Sequence, residues 1–164
     1  MKKVLRSLVA VAFVFTLLVS AFGINSSYAD SYDVQDVKVR IYKYGTYGTS
    51  GEKTSMAQKA VIDNGTVITK EGENYFLTIP VKPFYVGPIK GEFKVLNING
   101  VEAENKNNKI KIQLPNDVAT NPANKVKVSN VKVTSTAHVI VDVPSTHDVD
   151  FVIDELSNQM QHLW

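Results

Sequence analysis

The chain has 164 residues, 44% of them hydrophobic, with 18 Lys and Arg against 16 Asp and Glu and no cysteine. That length suits one domain with one core, and the missing thiols exclude disulfides, thiolate metal sites and a lipid-bearing cysteine. A charge this close to balance leaves no electrostatic footprint for nucleic acid or an anionic membrane surface.

The N-terminus carries Lys2, Lys3 and Arg6 ahead of an apolar run from Leu8 to Ile24, broken by Thr16, Ser20 and Gly23. Ser27 and Ala29 then occupy the small-residue positions before a cut at Asp30. Together these predict a secretory signal peptide over residues 1–29, with no membrane span left in the mature chain. Its removal takes three cations and shifts the formal charge from +2 to −1.

Period-2 alternation follows. In "VKVRIYKY" (37–44), Val37, Val39 and Ile41 share one face, with Lys38, Arg40, Tyr42 and Tyr44 on the other. Tyr47 lies in the Gly/Thr-rich loop beyond, and neighbouring solvent-facing tyrosines of this kind mark contact surfaces. Asn64-Gly65 and Asn99-Gly100 each predict a two-residue hairpin turn. Between them, "YFLTIPV" (75–81) sets Tyr75, Leu77, Ile79 and Val81 on one face. Next, "KIKIQL" (109–114) does the same with Ile110, Ile112 and Leu114. Pro115, Pro122 and Pro144 punctuate the later connections. "HVIVDV" (138–143) sets Val139, Val141 and Val143 against His138, Ile140 and Asp142. At the end, Leu156, Met160 and Leu163 recur at helical spacing behind a capping Asp154.

About eight short strands with frequent turns predict an all-β fold, an immunoglobulin-like antiparallel β-sandwich over 30–154 with a short C-terminal helix over 155–164. No nucleophile-elbow pattern or zinc-spaced histidine cluster points to an enzyme. The alternating Asp148, Asp150 and Asp154, near Asp142, read as a solvated edge that discourages strand pairing more readily than as a calcium site.

Three stretches in order, "VKVRIYKYG…EKTSMAQKAV", "ENYFLTIPVKPFYVGPIKGEFKVLNINGVEA" and "VKVSNVKVTSTAHVIVDVPSTHDVDFVID", resemble the NEAT (near iron transporter) domain. NEAT domains are extracellular haem-handling β-sandwiches of Gram-positive bacteria. The resemblance implies a haem slot, with a short 3₁₀ turn presenting Ser55 to a propionate and Met56 to the porphyrin face. It also implies that Tyr85, in the aromatic connection, and Phe151, on the last strand, face the haem. The family's Tyr-x-x-x-Tyr ligand pair has no counterpart, because no tyrosine follows Tyr85. His147 stands at the second tyrosine's position and shares strand parity with Val149, Phe151 and Ile153, so it is the expected ligand to haem iron.

The resemblance thus implies a secreted haem-binding protein of iron acquisition. A haem-free alternative uses Tyr42, Tyr44 and Tyr47 to bind a haemoprotein, an envelope protein or another NEAT-domain protein. The sequence shows no sorting pentapeptide with an apolar tail, so release to the medium is expected. The rival is non-covalent retention at the cell wall through Leu156, Met160, Leu163 and Trp164.

Overall fold

The computed structural model describes residues 32–34, 37–121 and 123–154. The signal peptide, Pro122 and the C-terminal helix lie outside the described residues. Ten strands follow in chain order. They are β1 (Tyr32–Val34), β2 (Lys38–Lys43), β3 (Val67–Glu71), β4 (Asn74–Pro80), β5 (Phe84–Val86), β6 (Ile89–Ile98), β7 (Val101–Glu104), β8 (Lys109–Leu114), β9 (Lys125–His138) and β10 (Asp142–Asp154). A 3₁₀ turn, Met56–Ala60, and a single helical turn, α1 (Asn116–Ala119), interrupt them. None of the helices described is long and apolar enough to cross a membrane.

The strands form two antiparallel sheets, one in the order β1-β3-β4-β8 and the other β2-β10-β9-β6-β5, with β7 also paired to β6. The fold is the expected all-β sandwich, with ten strands described where about eight were predicted. The alternation in the sequence supplies its inner faces. Val37, Val39 and Ile41 from β2 and its approach meet Tyr75, Leu77 and Ile79 of β4, Ile110, Ile112 and Leu114 of β8, and Phe93, Leu96 and Ile98 of β6 in one buried cluster. Each such side chain gains about 1.5–3 kcal/mol on leaving water, which is what this cysteine-free chain relies on.

The Asn99-Gly100 turn joins β6 to β7 as predicted. Ile98 pairs with Val101, and both loop residues take positive φ (52° and 88°), as the tight hairpin requires. Asn64-Gly65 is not a hairpin. After the 3₁₀ turn, Val61 bridges to Val81 of the β4–β5 connection, and the Asn-Gly pair carries the chain from there into β3.

The predicted strand over 138–143 is instead the end of one strand, a turn and the start of the next. His138 closes β9, Asp142 opens β10, and His138 Nδ1 lies 2.6 Å from Asp142 Oδ1 across the turn. Val139, Ile140 and Val141 are therefore a hairpin tip, with Ile140 97% exposed. Pro144 lies inside β10 opposite Thr136, not in a connection. β2 pairs only with Val149–Asp154, so the outer half of β10 is an edge on that side, where proline is tolerated.

Candidate ligand-binding cleft

Beyond the core, β9 and β10 run on within the same sheet, β9 staying paired to β6 as far as His138. Val131 and Val133 of β9 face inward, and the same parity carries Ser135 and Ala137 onto the inner surface. On β10 the matching residues are Val143, Ser145 and His147, continuing to Val149. Phe84 and Val86 of β5 with Ile89 and Gly91 of β6 extend this surface. Lys43, Tyr44 and the head of the 3₁₀ turn (Ser55, Met56 and Ala57) complete a cleft of about 550 Å³.

The turn is tied to the neighbouring strand. Ser55 Oγ caps it by accepting the Ala57 N–H at 3.4 Å, and the Ser55 N–H donates to the Ile41 carbonyl at 2.9 Å. Gln58 acts as a surrogate strand neighbour: its Oε1 accepts the Ile41 N–H at 2.7 Å, and its Nε2 donates to the Val39 carbonyl at 3.3 Å. With Ala57 and Ala60 buried beneath, this fixes Ser55 and Met56 at the cleft, where Met56 is 47% exposed.

A buried carboxylate holds the tyrosine loop. Asp150 is almost fully buried, accepts the Tyr47 N–H at 3.0 Å and pairs with Lys127 Nζ at 2.8 Å. Burial pushes its carboxyl up, but the Lys127 contact and the Tyr47 and Gly45 amides outweigh that and hold it below its ordinary value.

Thus Ser55, Met56 and His147, remote in sequence, line one cleft. Tyr44 joins them, because β2 ends at Lys43 and the turn that follows breaks the parity expected of it. Two other residues do not reach the cleft. Phe151, fully buried, belongs to the core. Tyr85 alternates to the outer face and is 63% exposed, so the cleft's aromatic on β5 is its neighbour Phe84. Tyr42 and Tyr47 also stay outside, packed ring against tilted ring with centroids 5.0 Å apart and planes at 39°. The expected row of three tyrosines is therefore a pair and a separate cleft residue.

Lys43, Ser145 and Gly91 were not singled out from the sequence. The signal for Lys43 was present, since it continues the inward parity of Val39 and Ile41. Gly91 is shaped to its neighbour: a Cβ there would lie 2.5 Å from Phe84 Cζ and 2.7 Å from Cε2, so the ring lies directly over bare backbone. Among the described residues no group of three or more His, Asp or Glu is placed to hold a metal ion. No family model, curated protein or solved structure matches the chain.

Proposed function

We propose that the protein is an exported haem-binding domain of NEAT type, serving iron acquisition and binding rather than catalysing. The observation that carries this reading is the mostly apolar cleft that gathers Ser55, Met56 and His147. Its size is that of sites that take cofactor-sized ligands. The donor set fits haem. An unbranched thioether and Phe84 suit a flat π-system, hydroxyls and the Lys43 ammonium suit carboxylates, and imidazole is an ordinary axial ligand. The haem iron would supply one coordination bond to the protein, and the side chains bind and orient the macrocycle. His147, and not a tyrosine of the last hairpin, is the proposed ligand.

Titrating purified residues 30–164 with hemin tests this reading. A saturable Soret shift that His147→Ala abolishes is expected. No shift removes haem binding, and an unchanged spectrum in the variant removes His147 as ligand.

A second reading draws on the Tyr42–Tyr47 pair outside the cleft. Here the protein docks a haemoprotein, or another NEAT-like domain, through these rings and the exposed Tyr44 beside them. Interface aromatics contribute on the order of 2 kcal/mol each. Haemoglobin pull-down should then be lost in the triple Tyr→Ala variant without loss of fold, and retained pull-down excludes the loop. For location, we propose release to the medium. Retention on washed cells that deleting residues 155–164 reverses would place the protein at the envelope instead.

A further inference from the structure

Ser145 and His147 sit two residues apart on the cleft face of β10, with Ser145 Oγ 2.7 Å from His147 Nε2. Alternate residues of a strand are separated by about 6.6 Å, so the imidazole meets the hydroxyl only by lying along β10 toward the hairpin tip. The far nitrogen of the ring is thereby engaged, and Nδ1 has no partner among the described residues.

We propose that Ser145 is a positioning residue for His147. Its oxygen accepts the Nε2–H, which fixes the tautomer and offers the Nδ1 lone pair to a Lewis-acidic metal centre carried by the ligand in the cleft. This rests on the haem reading for the identity of that centre, but not for the Ser145–His147 pairing itself. The logic is that of metal-binding histidines generally: the second ring nitrogen donates to a fixed acceptor, which sets the ring's orientation and raises its basicity. The opposite polarity, with the hydroxyl donating to Nε2, puts the proton on Nδ1. Both nitrogens are then closed to a metal, so the position of one proton separates a ligand from a bystander.

The test uses Ser145→Ala and Ser145→Thr. Both lie at an exposed strand position, and a circular dichroism melt confirms that each is folded. Ring ¹⁵N shifts of His147 in the ligand-free protein, read where the ring is neutral, should report protonation at Nε2. Ser145→Ala should redistribute the proton between the nitrogens, and Ser145→Thr should restore the wild-type pattern. In hemin titrations Ser145→Ala should bind about 10- to 100-fold more weakly, with Ser145→Thr recovering most of the loss. Protonation at Nδ1 in the wild type, identical ring shifts in Ser145→Ala, or unchanged or tighter hemin binding in that variant overturns the proposal. A wild-type protein with no Soret change removes the haem reading, and the ring shifts then decide the pairing by themselves.

Discussion

Gly91→Ala adds one methyl group to β6 at a place with no room for it. In the sheet Gly91 is opposite Phe84, and the new Cβ would stand 2.5, 2.7 and 3.0 Å from three atoms of that ring. Carbon atoms rest at about 3.5–4.0 Å, so the ring must retreat by about 1 Å or leave the strand surface. Overpacking of this kind costs about 1–3 kcal/mol, and a displaced, half-buried Phe84 gives up about 1 kcal/mol of its burial. Against this, alanine in a strand recovers about 0.5–1 kcal/mol of the entropy that glycine loses on folding. The balance is about 1–3 kcal/mol of destabilisation, a fall in melting temperature of about 3–12 °C for a domain of this size. Because Phe84 lines the cleft, hemin affinity should fall at least about tenfold as well. Thermal melts and hemin titrations of Gly91→Ala, Phe84→Ala and the double variant form a cycle. The clash exists only when both groups are present, so the double variant should be more stable than the sum of the singles by about 1–3 kcal/mol. A Gly91→Ala melt within about 1 °C of wild type, with additive singles, refutes the packing argument.

Two more outcomes follow from the tyrosine loop and its anchor. Asp150→Asn should cost about 1–2 kcal/mol at pH 7, moderated because Lys127 is half exposed. The folded carboxyl titrates below its ordinary value of 3.8, so its contribution is present above that pH and fades as acid titrates the folded group. Urea melts at pH 7 and pH 3 should show the gap between wild type and variant shrinking in acid, and a pH-independent gap contradicts the assignment. Tyr44→Ala should leave stability within about 0.5 kcal/mol, since the ring is 72% exposed, and weaken hemin binding. Tyr42→Ala should do the reverse, losing about 1 kcal/mol with its ring contact to Tyr47 while sparing hemin. Equal effects from the two would erase the division of the loop into a cleft residue and an outer pair.

The sequence was most legible where one face of a strand is dry. Val37, Val39 and Ile41, or Tyr75, Leu77 and Ile79, alternate because burial selects them, and the fold places them accordingly. At 138–143 the same alternation misled. Val139 and Val141 look like core residues, but the hairpin has to reverse somewhere between His138 and Asp142, and no glycine or Asn-Gly pair marks the place. Asn64-Gly65 misled in the other direction, since positive φ at Gly65 serves a connection out of a 3₁₀ turn and no hairpin. That Ser55, Met56 and His147 line one cleft is legible only through family resemblance and strand parity. Phe84 was passed over for Tyr85 because period 2 cannot say which face of a short edge strand looks inward. Gly91 left no readable trace, because its role lies in the ring across from it.

β10 has two characters along one hydrogen-bonded ladder. Its outer half, 142–148, is exposed, while Val149–Ile153 are buried, and the register between β9 and β10 shifts between Val149 and Phe151, opposite Asn130 with its positive φ. Hydrogen exchange should therefore divide the strand into two units. Amides of the inner half should exchange with solvent only when the sandwich opens, whereas those of the outer half should exchange when that half of β10 alone parts from β9, at lower cost. A guest in the cleft would touch Val143, Ser145 and His147 of the outer half, so its binding energy would hold that half of β10 against β9. Occupancy can thus be read as protection that spreads outward from Val149 toward the hairpin tip, while the protection of the inner half stays as it was.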